Sequence, residues 1–231
     1  MKICTVANRK GGVGKSTLSL NIAARAHERG MKTLLVDLDA QGSASYAARG
    51  GDDSGLLRQS LVSVLASNDT PRPVRSVYGF DLLGSADVEI DTRALSKLRD
   101  LEYDFIVLDT APAAGAEQSA ALFAADTAVL VIEPDEFSVH GLQSLFVKLR
   151  EVQRLKTLRT AIVVNRLRAR CVEQMRTIVD LRGFVGDMLT GILGEREAVR
   201  RARAEDKAVW QYDRAVGAAW LTVCDKIIAG E

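Results

Sequence analysis

Short apolar runs alternate along the chain with longer stretches in which apolar residues recur at helical spacing. Five of these runs are continuous and brief, which predicts strands buried on both faces: KICTVAN, KTLLVDLD, YDFIVLDT, DTAVLVIEP and RTAIVVNR. Segments such as 17–28 and 139–154 separate the runs and predict helices. This alternation predicts an α/β fold in which helices cover both faces of a mostly parallel sheet.

The length of 231 residues, of which 47% are hydrophobic, is enough for one substantial core or two small ones. We expect a single domain over residues 1–231. The densest turn signals, RGGDDSG and SNDTPRP, fall within residues 50–76. They predict a peripheral excursion with one helix at 56–66, not a boundary between domains.

The formal net charge of +1 argues against a generally basic protein, but the charge is unevenly distributed. Between Lys148 and Arg182 there are ten lysines and arginines against three acidic residues, which indicates a candidate anion-facing surface. The three cysteines lie far apart and lack the spacing of zinc ligands. No apolar run approaches the length of a signal peptide or membrane span, so we expect a cytoplasmic protein.

Polar side chains stand where several predicted strands end. Asp37 and Asp39 follow the second run, Asp109 ends the third and Asn165 ends the fifth. In open parallel sheets, ligands bind beyond the carboxyl ends of the strands. We therefore expect the chemistry of this protein to be gathered at one edge of the sheet.

The segment KGGVGKST follows the first predicted strand and opens a helix near Ser16. Glycines at 11, 12 and 14 let the backbone turn its N–H groups inward, and the helix start adds positive potential. Lys15 could then reach the terminal phosphates of a bound triphosphate. The alternative is an ordinary glycine-rich turn, but the lysine, the hydroxyl group and the flanking elements together favour a phosphate-binding loop.

The loop departs from the pattern G-x-x-x-x-G-K-[ST] at its first position, where the chain has Arg9 followed by Lys10. In this respect it resembles the deviant Walker A loop of the ParA/MinD ATPases, whose extra signature lysine reaches across a dimer to the partner's nucleotide. The resemblance implies that Lys10 is this lysine and that Lys10 and Lys15 both serve catalysis. The alternative for Lys10 is an exposed lysine that merely flanks the loop. The resemblance assigns nucleotide binding to Lys10, Gly11, Gly12, Val13, Gly14, Lys15, Ser16 and Thr17.

Further motifs extend the resemblance over nearly the whole chain. LLVDLDAQGSAS resembles the family's second motif, where Asp39 would orient the attacking water and Asp37 would support the magnesium site. FIVLDTAP resembles its Walker B motif, with Asp109 holding Mg²⁺ through water and residues 110–112 forming a switch. VVNR resembles the segment in which an asparagine, here Asn165, contacts adenine. EREAVRRARAEDKAVWQYD resembles the C-terminal stretch of the small partition ATPases.

The elementary chemistry agrees with these roles for ATP and Mg²⁺. Magnesium prefers oxygen ligands and keeps several waters, so Ser16 and one or two of the strand-end carboxylates Asp37, Asp39 and Asp109 suffice beside the phosphates. A carboxylate is a weak base, so Asp39 would position water better than it would deprotonate it. Hydrolysis is therefore expected to be slow without a stimulating partner.

The resemblance implies a slow, partner-stimulated ATP hydrolase of the P-loop NTPase fold that forms a homodimer on binding ATP. The dimer would bind DNA nonspecifically on the nucleoid until a ParB-like or other adaptor stimulates hydrolysis, and the cargo would be a plasmid or another assembly. Because the first strand begins at once, we expect no N-terminal helix-turn-helix domain.

A predicted helix at 195–206 would align three arginines on one face, with a lysine just past its end and two further arginines after the fifth strand. Such a stripe would contact phosphates without reading bases. Acidic residues are interleaved, so an ordinary solvated face is the alternative. The candidate DNA contacts are Arg168, Arg170, Arg196, Arg200, Arg203 and Lys207.

Two other classes of function remain open. A MinD-type membrane cycle would use an amphipathic tail, and RAVGAAWLTVCDKIIAGE does place Val216, Trp220, Val223 and Ile227 along one side. Its charges are balanced and it lacks a basic face, so we expect core packing and no membrane partner. A metabolic P-loop enzyme is the other alternative, although iron-sulfur types need differently placed cysteines and a ligase has no need of Lys10.

Overall fold

The computed structural model describes residues 1–52, 73–84, 95–112 and 115–231, and for residues 136–140 it describes the backbone only. Within these ranges the strands form one eight-stranded sheet. The strands are β1 (Lys2–Ala7), β2 (Thr33–Asp37), β3 (Val74–Arg75), β4 (Asp81–Leu83), β5 (Phe105–Asp109), β6 (Thr127–Ile132), β7 (Arg159–Leu167) and β8 (Leu189–Gly194). The five predicted strands are β1, β2, β5, β6 and β7, while β3, β4 and β8 were not predicted.

The order of the strands across the sheet is β3-β4-β2-β5-β1-β6-β7-β8. Only the pairing of β3 with β4 at one edge is antiparallel, so the prediction of a mostly parallel sheet is confirmed. β1 therefore lies between β5 and β6. The loop that follows β1 has the carboxyl ends of β5 and β6 on either side.

Helices cover both faces of the sheet, as predicted. Within the described residues they are α1 (Lys15–Glu28), α2 (Ser43–Ala48), α3 (Ala116–Ala124), α4 (Glu136–Gln153), α5 (Val172–Val185), α6 (Glu197–Ala204), α7 (Val209–Tyr212) and α8 (Arg214–Ala229). One core cluster joins the sheet to α3, α4 and α5, and the other joins it to α1, α2, α6, α7 and α8. The predicted helix at 56–66, and most of the predicted excursion at 50–76, lie outside the described residues.

The central strands are apolar because both of their faces are covered. Every residue of β2, β5 and β6 is buried. Along β6, Leu130 and Ile132 pack into one core cluster, whereas Val129 and Val131 pack into the other. Successive side chains of a strand point to opposite faces, so a two-sided sheet requires a continuous apolar run.

The C-terminal helix α8 closes one face of the sheet, which confirms the prediction of core packing for the tail. Trp220, Val223 and Ile227 are each no more than 2% exposed. Trp210, in α7, is also buried, and its indole Nε1 donates hydrogen bonds to both carboxylate oxygens of Glu28 at 3.0 and 2.9 Å. In the described part of the chain, no helix combines the length and the apolar character needed to cross a membrane.

Close packing of α7 against α8 depends on a glycine. A Cβ atom built on Gly217 would lie 2.2 Å from Cα of Trp210 and 2.8 Å from its backbone nitrogen. These are backbone atoms of a buried residue, so they cannot move aside without shifting α7 itself.

We expect Gly217→Ala to lower the free energy of unfolding by about 1 to 3 kcal/mol, because the added methyl overpacks this contact. Gly183→Ala in α5 is the matched control, since a Cβ at that position meets nothing within 4 Å. The control should be neutral or stabilising by up to about 1 kcal/mol, as alanine favours helices over glycine. Urea denaturation of the three proteins measures both effects, and equal behaviour of the two variants would contradict the packing argument.

Candidate functional site

The glycine loop after β1 is held in place by two asparagines. Asn8 accepts a hydrogen bond from the backbone N–H of Lys10 at 3.0 Å, and its own amide donates to the carbonyl of Val131 in β6. Asn165 donates from Nδ2 to the carbonyl of Val13 at 2.8 Å. The ends of β6 and β7 therefore fix the loop from one side.

A left-handed residue joins this loop to helix α1. Gly14 has φ +98°, and a Cβ atom there would lie 2.3 Å from Nδ2 of Asn165. Only glycine satisfies both constraints. The backbone then enters α1 at Lys15, so the free N–H groups and the positive end of the helix dipole lie at the loop.

Two carboxylates stand side by side where β2 and β5 end. Asp37 and Asp109 are register partners, and neither is exposed to solvent. Asp37 accepts hydrogen bonds from the N–H and the hydroxyl of Ser45 at 2.7 and 2.8 Å, and from the N–H of Asp39 at 3.0 Å. Burial nevertheless outweighs these bonds and raises the pKa of Asp37. Both carboxylate oxygens of Asp37 thus accept hydrogen bonds from within the chain, whereas one oxygen of Asp109 accepts none.

Asp109 has one oxygen without a partner. Its Oδ1 accepts a hydrogen bond from the hydroxyl of Ser19 at 2.8 Å, whereas its buried Oδ2 accepts none. Burial, followed by the nearby charge of Asp37, raises the pKa of Asp109 to about 7, against opposing contributions from Ser16, Ser19 and Lys15. A hydrated Mg²⁺ ion needs oxygen ligands, and the unpaired carboxylate oxygen of Asp109 together with the nearby Ser16 hydroxyl supplies them. These residues therefore fit the predicted metal.

Lys15 and Asp39 complete this part of the site. Lys15 is only 6% exposed, and burial lowers its pKa although Asp109 and Asp39 oppose the shift. Asp39 accepts from the backbone N–H of Gln41 at 3.0 Å, which fixes its carboxylate at the start of the turn into α2. The predicted residues Lys15, Ser16, Asp37, Asp39 and Asp109 are thus gathered at one edge of the sheet.

The predicted switch at 110–112 lies against the glycine loop. The hydroxyl of Thr110 donates to the carbonyl of Val6 in β1 at 2.9 Å. A Cβ atom built on Gly11 would lie 3.9 Å from Pro112, which is ordinary contact. The segment after β5 therefore lies next to the glycine loop, and its role as a switch stays a prediction.

Lys10 takes part in an ion-pair network that the sequence did not reveal. Its ammonium nitrogen lies 2.8 Å from Glu133 and 2.8 Å from Asp135, both in the segment after β6. Hydrogen bonds to Asp135 and then Glu133 raise the pKa of Lys10. Glu133 also accepts from Arg166 at 2.8 Å, and Arg166 has φ +58°, where β7 departs from its regular pairing with β8.

A cavity of about 640 Å³ opens beside the loop, between the start of α1, the end of β7 and the segment from β8 into α6. Its volume falls in the range of small-molecule sites. It adjoins the phosphate-binding loop and Asn165, so its position suits a nucleoside. The lining comprises Gly14, Thr17, Tyr46, Ala47, Gly50, Gly51, Asn165, Arg166, Gly194, Glu195, Arg196, Val199, Arg200, Arg203, Ala204 and Asp206.

The six candidate DNA contacts are exposed, but they do not form one uniform stripe. The helix predicted at 195–206 is observed at Glu197–Ala204, so Arg196 has an extended backbone just before the helix and is not on the predicted helical face. Arg196, Arg200 and Arg203 all line the cavity. Glu195 lies 2.6 Å from Arg168 and 4.0 Å from Arg200, and Lys207 lies 2.9 Å from Glu205. Part of the positive charge at this edge is therefore balanced locally.

Comparison with known proteins agrees with this geometry. Residues 4–209 match the family described as the CobQ/CobB/MinD/ParA nucleotide binding domain. The chromosome-partitioning ATPase Soj of Thermus thermophilus is 32% identical over 199 residues, which cover 79% of this chain and 76% of Soj.

Two solved structures share the fold. A putative plasmid partition protein from Borrelia burgdorferi bound to AMPPNP has a TM-score of 0.81 at 22% identity, covering 100% of this chain and 99% of that one. A chain of the MinC:MinD cell division protein complex from Aquifex aeolicus has a TM-score of 0.83 at 21% identity, covering 100% of this chain and 96% of that one.

The raised pKa of Asp109 predicts a pH-dependent stability in protein freed of metal and nucleotide. Unfolded Asp109 loses its proton near pH 3.8, but the folded protein retains it to about pH 7, so stability falls as the pH rises between these values. Asp109→Asn removes this dependence. The free energy of unfolding of the variant minus that of wild type should therefore increase by about 2 kcal/mol between about pH 5 and about pH 8.

Urea denaturation in EDTA at the two pH values measures this difference. Asp180→Asn, an exposed aspartate of α5, serves as the control and should follow wild type at both. A constant difference between Asp109→Asn and wild type would show that the buried carboxyl does not titrate in this range.

Proposed function

Because this chain belongs to the CobQ/CobB/MinD/ParA nucleotide-binding family and is related to the partition ATPases within it, we propose that it hydrolyses ATP to switch between a single chain and a DNA-bound homodimer. In this proposal ATP closes the dimer, and the dimer binds DNA without sequence preference on the nucleoid. An adaptor protein, ParB-like or of another type, stimulates hydrolysis and releases it. The cycle would move a plasmid or another cargo.

The unpartnered oxygen of Asp109 beside the glycine loop is the observation that carries the proposal of an ATP site. Ser16 and Asp109 would hold Mg²⁺, with Asp37 fixing the strand end behind them and Asp39 beside them. When bound, Mg²⁺ neutralises charge on the phosphates as the phosphoryl group transfers.

The chain's own residues supply the remaining chemistry. The backbone N–H groups from Gly11 to Thr17 hold the phosphates, and Lys15 binds the terminal ones. Asp39 orients the attacking water and accepts a hydrogen bond from it. Asn165 and the cavity beside it take the nucleoside. A positioned water with a weak base gives slow turnover, which leaves room for stimulation by an adaptor.

Lys10 is proposed to act across the dimer. In the single chain its ammonium contacts Glu133 and Asp135 and not its own glycine loop, and its side chain is 42% exposed. A lysine in this position is available to a second subunit. There it would stabilise the charge that develops on the transferring phosphoryl group, as a trans arginine does on other phosphate loops.

The proposed DNA surface combines the loop after β7 with α6. Arg168 and Arg170 are exposed in that loop, while Arg196, Arg200 and Arg203 are shared with the cavity wall. A bound nucleotide would touch the same wall that carries the arginines, which offers a physical link between nucleotide state and DNA binding. A MinD-type membrane cycle is less well supported, because the apolar side of α8 is buried in the core.

Replacing Lys10 tests the dimer. Lys10→Ala should lower ATP turnover by at least about tenfold and weaken ATP-dependent dimerisation measurably without abolishing it, because the trans positive charge is lost. Nucleotide affinity of the single chain should stay within about twofold of wild type. Fluorescent-nucleotide titration, phosphate release and light scattering measure the three quantities. Lys226→Ala, at an exposed lysine of α8, is the control, and normal turnover by Lys10→Ala would remove the trans role.

Binding to random-sequence DNA tests the output of the switch. We expect retention with ATP but not with ADP, and a loss of at least about tenfold in affinity between about 50 and about 200 mM salt. The double variant Arg168→Ala/Arg170→Ala should weaken binding and flatten the salt dependence, whereas Arg150→Ala on the opposite face should do neither. Equal retention with ADP, or binding to anionic liposomes instead of DNA, would contradict the proposal.

A further inference from the structure

Two carboxylates take up most of the hydrogen-bonding capacity of the Lys10 ammonium group. An ammonium group has three N–H donors, and two of them point at carboxylates 2.8 Å away. Glu133 binds Arg166 as well, so Lys10 and Arg166 face Glu133 and Asp135 in a group with no net charge. A neutral group exerts little attraction on a triphosphate.

We propose that Glu133 and Asp135 are positioning residues that hold Lys10 within its own subunit until two ATP-bound chains meet. This inference rests on the proposed function, because it assumes that Lys10 serves the partner's nucleotide. A phosphate oxygen that approached the ammonium would come close to both carboxylates. Lys10 must therefore exchange its carboxylates for phosphate oxygens, and the two carboxylates set how readily that exchange occurs.

The exposure of the network makes the exchange feasible. The side chains of Lys10, Glu133 and Asp135 are 42%, 18% and 33% exposed, and ion pairs of this kind shift an equilibrium by a factor of about one to five each. When Lys10 leaves, Glu133 keeps its bond to Arg166. Asp135 directly precedes α4, where a negative charge is favoured by the helix dipole. Neither carboxylate is left without compensation.

The same network reaches the nucleoside cavity. Arg166 lines the cavity and donates to Glu133, which in turn accepts from Lys10. Arg166 is also one of two residues other than glycine with positive φ in the described part of the chain, and such conformations concentrate where function requires them. A nucleoside that contacts Arg166 would therefore be linked to Lys10 through two ion pairs, Arg166 with Glu133 and Glu133 with Lys10.

How strongly Glu133 and Asp135 restrain Lys10 can be measured in the single chain, without any dimer. Amine acylation requires the neutral amine, so a lysine held between carboxylates reacts slowly. In nucleotide-free protein, the acylation rate of Lys10 relative to exposed Lys226 should rise at least about threefold in Asp135→Asn. Mass spectrometry of digested protein gives both rates. Asparagine serves as well as aspartate at a helix start, so α4 is preserved.

The effect on assembly is measured with AMPPNP, which prevents hydrolysis from dissolving the dimer. Both chains must release their lysine, so Asp135→Asn should lower the dimer dissociation constant about tenfold, and Glu133→Gln should lower it too. Asp135→Glu should restore wild-type behaviour. Glu197→Gln, which breaks an exposed ion pair with Arg201, is the control and should change nothing. Affinity of the single chain for AMPPNP should be unchanged in the Asp135 variants, because Asp135 does not line the nucleoside cavity.

A double-mutant cycle separates this role from a general electrostatic effect. In a Lys10→Ala background, Asp135→Asn should leave dimerisation and AMPPNP affinity where Lys10→Ala alone puts them. If wild type dimerises and Asp135→Asn matches it, or labelling of Lys10 is unchanged, the positioning role is overturned and the proposed function stands. If wild type and all variants remain single chains at saturating AMPPNP, the proposed dimer is overturned together with the inference.

Discussion

Parallel pairing of β1 with β5 on one side and β6 on the other is the constraint from which the site follows. It places the loop after β1 between two strand ends, each followed or closed by a carboxylate. Asp109 on the β5 side is fully buried, while Glu133 on the β6 side is partly exposed. Under the proposed function the same chemical group would serve two purposes. Buried Asp109 would hold a cation, whereas partly exposed Glu133 would be a partner that Lys10 can exchange.

The site concentrates features that a chain selected for stability alone would avoid. Asp37 and Asp109 lie next to each other without solvent, and Lys15 is buried beside them. Gly14 and Arg166 both have positive φ. Local conflicts of this sort are tolerated where the surrounding structure fixes them, here through the hydrogen bonds of Asn8, Asn165 and Ser45, and they are expected at sites built to receive a ligand.

The long apolar runs made the central strands predictable, because burial on both faces leaves a continuous signal. β8 escaped prediction because Gly191 and Gly194 interrupt its apolar pattern, and β3 with only two residues gives no periodicity. The loop residues were predictable from their spacing. Glu133 was not identified, although it follows β6 just as Asp39 follows β2, and applying the strand-end argument to DTAVLVIEP would have found it.

Contacts that depend on three-dimensional register could not be predicted in the same way. The bond from Asn165 to Val13 and the pair of Arg166 with Glu133 join segments more than thirty residues apart. That Arg196 and the α6 residues Arg200 and Arg203 would line a cavity also depended on where the segment from β8 into α6 lies relative to α1 and the end of β7. The charge excess between Lys148 and Arg182 predicted an anion-facing surface, but it could not show that Arg166 and Arg168 pair with the carboxylates of Glu133 and Glu195.

The unpartnered oxygen of Asp109 also bears on how well the folded protein resists proteolysis in the cell. A ligand that binds only the folded chain stabilises it by mass action, and supplying a partner to a buried unpaired oxygen adds to that gain. Under the proposed function, the chain without nucleotide is therefore the form that opens most readily to proteases. Adenylate supply would then affect how long each molecule survives, in addition to how fast it turns over ATP.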